Sequence, residues 1–149
     1  TDAKTLLSVQ PNCAPVVTTI LNDGAGSLRR AVAAVCTGGT ITFATSGTIT
    51  LTTGQLAVVR SMTIDATGAS ITISGNGASR IFFVHTSANV TIAQLSLIDG
   101  YSSNDNGGAI YNWGTLSLSH SIISGCTTYA NGGAVNNNSL LAIDQTTIT

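Results

Sequence analysis

The chain contains no glutamate, one lysine, one methionine, one tryptophan and two prolines among its 149 residues. Charged residues make up 7% and aromatic residues 5%. With no Glu and a single Lys, the usual exposed surface of an α-helical protein is missing. So little charge, at a mean hydropathy of +0.36, also excludes a disordered chain. Five scattered cations against six aspartates leave a net charge of −1 and no basic footprint, so no nucleic-acid partner is expected. No apolar run approaches the roughly 20 residues of a spanning helix, so no membrane insertion is expected either. What is abundant is Thr (23), Ser (16), Gly (16) and Asn (11), set among Ala, Val, Ile and Leu. That is the composition of an all-β protein.

The chain opens at Thr1 with no charged-then-apolar leader, which reads as a mature or trimmed product. Its composition suits an exported protein, secreted or extracellular or held on a bacterial cell surface. Cys13, Cys36 and Cys126 are an odd count. In an oxidising compartment Cys13 and Cys36 can form a disulfide, leaving Cys126 alone; three buried reduced thiols are the other possibility.

Internal repetition is the strongest signal. Asn106–Asn112 (NGGAIYN) recurs as Asn131–Asn137 (NGGAVNN), 25 residues later. The same shift carries Leu97-Ile98-Asp99-Gly100 onto Ile122-Ile123-Ser124-Gly125, and Leu116-Ser117-Leu118 onto Leu141-Ala142-Ile143. Val90-Thr91-Ile92 maps onto Leu116-Ser117-Leu118 at 26, and looser copies lie at 62–65 and 71–75. Short strands broken by Gly and Asn at this period describe the coils of a solenoid, which bury their inner faces by stacking. Alternation places the apolar residues of Thr40-Ile41-Thr42-Phe43 or Thr72-Ile73-Ser74 inside and the hydroxyls outside. Asn112 and Asn137 share a position in successive coils and predict an amide ladder up the axis. Paired glycines at 107–108 and 132–133 supply the tight bends.

One segment departs from the β pattern. Leu28, Ala31, Val32 and Val35 lie at helical spacing, with Ser27 as N-cap and Gly38-Gly39 as the stop. The spacing predicts a short helix over about 27–36 that covers the first coil. The expected fold is an all-β, right-handed parallel β-helix of four to five coils with this short N-terminal capping α-helix. Residues 1–21 form an arm, and 22–149 the β-helix domain.

Asn22-Asp23-Gly24-Ala25-Gly26-Ser27-Leu28-Arg29-Arg30-Ala31-Val32, followed by Gly39-Thr40-Ile41-Thr42-Phe43, resembles a cap signature of bacterial surface right-handed parallel β-helix proteins. In that family an N-D-S-G-x-G-S-L-R-x-A-I cap leads into a D-T-I-T-F first strand. The later coils are similar to those of polymorphic outer-membrane and adhesin-like passengers. The resemblance runs from about residue 17 to the last residue, and implies a fold and a surface location rather than an activity.

Catalysis is not expected. The aspartates at 2, 23, 65, 99, 105 and 144 share no obvious column, and the repeat sets neither Arg60 nor Arg80 at a matching place in a neighbouring coil. His85 and His120 follow different strands and lack metal-ligand spacing, so neither a metal nor a cofactor is expected. No Gly-x-Ser-x-Gly elbow is present. A threonine face of the kind that orders water is not expected, because the Thr-Ile-Thr of 40–42 and 48–50 decays to Thr-Ile-Asp, Thr-Ile-Ser and Ser-Leu-Ser.

Two kinds of contact remain. Tyr101, Tyr111, Trp113 and Tyr129 crowd the last third beside Asn-rich bends, the chemistry by which surface modules hold glycans. In the 25-residue repeat Tyr101 is level with Cys126, and Tyr111 with Asn136. The strand-like Thr5–Val9 and Val16–Ile20 have no partner in the repeat, and 140–149 carries no cap. Either a head-to-tail homopolymer, a filament with the arm or cap on the next open coil, or further coils beyond this sequence are expected. The expected role is structural or adhesive; the alternative is a polysaccharide-cleaving or glycan-binding β-helix.

Overall fold

The computed structural model describes residues 12–149 and is a parallel β-solenoid of about five turns with one short helix. Strand β1 (Val16–Val17) and helix α1 (Leu28–Ala34) precede the first full coil, which comprises β2 (Gly39–Phe43), β3 (Gly47–Thr50) and β4 (Leu56–Val58). The second holds β5 (Met62–Asp65), β6 (Ile71–Ser74) and β7 (Phe82–Val84). Coil three has β8 (Asn89–Ala93), β9 (Leu95–Ile98), β10 (Tyr101–Ser102) and β11 (Ile110–Asn112). Coil four has β12 (Thr115–Ser119), β13 (Ile122–Ser124), β14 (Thr127–Thr128) and β15 (Val135–Asn137), and β16 (Leu140–Asp144) with β17 (Thr147–Ile148) open the fifth.

Every strand pairing is parallel and joins one coil to the next. The walls are a sheet ordered β1-β2-β5-β8-β12-β16, a second ordered β3-β6-β9-β13-β17 and a third ordered β4-β7-β11-β15, with β10 and β14 pairing at a corner. The inner residues stack like on like: Ile41, Ile64, Ile92 and Leu118 form one buried column. This in-register aliphatic interior is what a single coil could not bury by itself.

Coil length varies more than the sequence repeat suggests. The first sheet pairs Gly39 with Met62, Met62 with Val90, Val90 with Leu116 and Leu116 with Leu141. The second sheet corrects the expected shift of 25 between coils three and four. Leu97 pairs with Ile123 and Ile98 with Ser124, a shift of 26. The doublet Ile122-Ile123 permits either register by composition, but only the observed one stacks buried Ile123 on buried Leu97 and leaves Ile122, 49% exposed, outside. In consequence Thr127, not Cys126, lies level with Tyr101.

Helix α1 is shorter than the expected 27–36. The Ser27 hydroxyl accepts from the Arg30 amide at 3.3 Å, and Leu28, Ala31 and Val32 are buried. At the other end Arg60 donates to the Ala33 and Val35 carbonyls, at 3.2 and 2.9 Å. The chain leaves the helix at Val35 because the next residues pair elsewhere. Val35 bridges Asn12, the Cys36 amide donates to the Asn12 carbonyl, and Cys13 is disulfide-bonded to Cys36 with their Cα atoms 4.8 Å apart. Gly39 is required here, since a Cβ would sit 2.6 Å from the Cys13 carbonyl oxygen. The arm is therefore joined to the solenoid from Asn12 onward. Val16–Val17, expected to lack a partner in its own chain, pairs with Thr42–Phe43 and puts Val17 in the core. Thr5–Val9 lie outside the described residues.

Candidate functional site

The outer face of the third sheet carries the aromatic residues. Ile110 and Asn112 point inward, so Tyr111 between them points out, level with Phe83 below and Asn136 above. Phe83 meets Tyr111 edge-on at 5.8 Å between centroids, and Trp113 tilts against Tyr111 at 5.6 Å. The Tyr111 hydroxyl accepts from the Asn138 amide at 3.2 Å and the Asn106 amide at 3.4 Å. Tyr111 is thus enclosed, while Trp113 remains 42% exposed. Above Tyr111, the Asn136 amide oxygen is buried without a hydrogen-bond partner.

Beneath this face lies a polar column that the sequence reading missed. Arg80, 7% exposed, donates to the Gln55 side chain at 2.9 Å, the Gly107 carbonyl at 3.0 Å and the Asp105 carboxylate at 2.9 Å. Its guanidinium also sits 5.1 Å from the Tyr111 ring centroid. The hydrogen bond from Arg80 holds the Asp105 carboxyl below the usual aspartate range. Gln55, Arg80 and Asp105 come from three successive coils and are joined through the Arg80 guanidinium, although the flanking strands pair at shifts of 26 and 28. Arg80 therefore does stand opposite an aspartate in the next coil, contrary to expectation. The equal spacing of 25 is not the register of the neighbouring strands, so the contact could not be read from the repeat.

The expected Asn pair lies inside the coil. Asn112 is fully buried; its amide donates to the Asn137 side-chain oxygen at 2.6 Å and to the Leu140 carbonyl at 2.9 Å, and its oxygen accepts from the Gly114 amide at 3.0 Å.

Tyr101 and Tyr129 form a separate pair at the β10–β14 corner, edge to face at 6.1 Å, with Tyr129 85% exposed. The four aromatic candidates are thus two pairs rather than one cluster. Burial, and then the neighbouring Tyr129 phenol, push the Tyr101 hydroxyl above its ordinary value.

Beside Tyr101 a groove of about 400 Å³ crosses three coils. Asn76, Asp99 and Gly125 take left-handed backbone conformations, with φ of 59°, 51° and 62°. The groove is lined by Ser74, Asn76, Gly77, Asp99, Gly100, Tyr101, Gly125 and Thr127. The Asp99 carboxylate is exposed and forms no hydrogen bond or ion pair among the described residues. Directly behind, the Gly100 amide donates to the Cys126 sulfur at 3.2 Å; burial chiefly pushes that thiol up. A second concavity of about 320 Å³ follows Gly47, Ser70, Gln94 and His120.

The hydroxyl face keeps more register than expected. Thr40, Thr63, Thr91 and Ser117 stack in one outward rank of the first sheet. The neighbouring rank, with Asp65, Ala93, Ser119 and Asp144, does not continue it. Among the described residues no group of three or more His, Cys or Asp side chains converges as metal ligands would. The chain matches no family model, and no curated protein matches it significantly.

Proposed function

We propose that the protein is a non-catalytic, extracellular or cell-surface adhesive solenoid that holds carbohydrate on its aromatic side. The observation that carries this reading is Trp113, half-exposed and held at a fixed tilt against buried Tyr111, in a setting of planar amides. A rigid exposed aromatic face stacks on the apolar face of a pyranose, while amides and carboxylates satisfy its hydroxyls. Rigidity matters because sugar binding gains little per contact and loses much to ordering flexible groups.

The disulfide supports an oxidising compartment. No helix among the described residues is long and apolar enough to cross a membrane, which is compatible with the same location. The likeness of residues 22–32 to the cap of bacterial surface β-helix passengers supports a surface role as well. A glycan array tests the proposal. Defined binding by the native protein, lost in Trp113→Ala at unchanged melting temperature, is the expected result. Retained binding in that variant removes the aromatic face from the proposal. Turnover of pectin, alginate or glycosaminoglycan in the presence of calcium overturns the non-catalytic assignment.

A further inference from the structure

We propose that the groove beside Tyr101 is a saccharide subsite selective for amino sugars carrying a free ammonium group, and closed to uronic acids. This rests on the carbohydrate reading above but concerns a different surface. The groove has a volume of about 400 Å³, within the roughly 300–1,000 Å³ range of small-ligand sites. Glycine at positions 77 and 125 keeps it open. At Gly77 a Cβ would meet nothing within 4 Å, and at Gly125 it would stand 3.1 Å from the Asp99 carboxylate oxygen. The glycine in coil four thus leaves room for the carboxylate of coil three.

Asp99 is the sole charged residue of the lining, and no described cation pairs with it. Its left-handed backbone, at φ 51°, is not compensated by a bond from its own side chain to the main chain. An unpaired carboxylate beside neutral donors and acceptors attracts an ammonium group and repels another carboxylate. Tyr101 supplies the wall against which a sugar ring stacks, and Tyr129, edge to face with it, holds that ring in place. A bare cation would use Asp99 alone; a sugar uses the carboxylate, the aromatic wall and the length of the groove together.

Calorimetric titration of the full chain with three probes tests this: a glucosamine tetramer, its N-acetylated counterpart and a tetragalacturonate. The glucosamine tetramer should bind roughly three- to tenfold more tightly than the N-acetylated one, as an exposed charge-assisted contact allows. Tetragalacturonate should not bind. Asp99→Asn, which keeps the side-chain shape and tolerates the backbone, should level the two amino-sugar probes without lowering affinity for the neutral one. Tyr101→Ala should weaken both. Equal binding of tetragalacturonate, or a preference that survives Asp99→Asn, overturns the proposal. Equal affinity for spermidine does so too, since it would leave only a cation-attracting carboxylate. If glycan binding disappears in Trp113→Ala but not in Tyr101→Ala, the adhesive reading stands and this subsite falls. If Asp99-dependent binding persists in Trp113→Ala, the subsite stands and the aromatic flank falls.

Discussion

Arg80 is the residue whose environment the rest of the aromatic flank depends on. It is buried, and its three hydrogen bonds join coil one to coil three through Gln55, Asp105 and the Gly107 carbonyl. Truncation to Ala removes the donors and leaves Gly107 and Gln55 without partners, so Arg80→Ala should cost about 2–4 kcal/mol in urea unfolding. The Asp105 part of this is smaller, because that carboxylate is 55% exposed. Its sign is nonetheless fixed. Asp105 has a lowered folded pKa, so its stabilisation is present above the ordinary aspartate value of about 3.9 and is lost as pH falls through the folded value. Melting curves should therefore separate the native protein from Asp105→Asn at pH 6, and converge at the acid end of the titration. Asn112 makes a comparable case inside the coil. Asn112→Ala strands the Gly114 amide and the Leu140 carbonyl, and a loss of about 2–3 kcal/mol is expected in the same unfolding measurement.

At the scale of elements, the cap is a helix held from four sides: by the Ser27 hydroxyl, the Arg60 guanidinium, the disulfide and strand β1. Val32→Asp places a carboxylate under it and should lower stability by several kcal/mol in thermal unfolding; an unchanged melting temperature would show that the helix is not docked. Alkylation of denatured, unreduced protein should modify one cysteine, Cys126, by intact mass; three modified cysteines would remove the bridge.

Much of this level was legible in the sequence, for a definite reason. Period-2 alternation of β-branched residues and helical spacing at 28–35 are local signals, and both survive packing. Where local signals were degenerate the sequence reading slipped. Two adjacent isoleucines at 122–123 fit either register, and the choice was made by stacking on Leu97. The early end of α1 was set by Asn12 and Cys13, which lie more than twenty residues away in sequence and pair with Val35 and Cys36. The groove was not legible because Gly77 and Gly125, from coils two and four, leave space around Asp99 only once the coils stack. Its trace is the run of Gly75, Asp99 and Gly125 directly after corresponding strand ends, with further glycines at 77 and 100.

For the whole molecule, the decisive fact is that the strands keep register from coil to coil while the corners between them differ in length. The corner from Ser102 to Ile110 is one residue longer than its counterpart from Thr128 to Val135, and the ladders on both sides still close in register. An extra glycine between Ser103 and Asn104, both exposed, should therefore change the melting temperature little. The same insertion between Ser96 and Leu97 would turn Leu97 outward and should prevent folding altogether. Asp105 and Asn106 ride on that tolerant corner, with Tyr101 and the Asp99 groove at its near end. Such an arrangement lets chemistry drift while architecture is conserved. A lineage could lengthen, shorten or rewrite what this side of the molecule touches, one corner at a time, without renegotiating the interior.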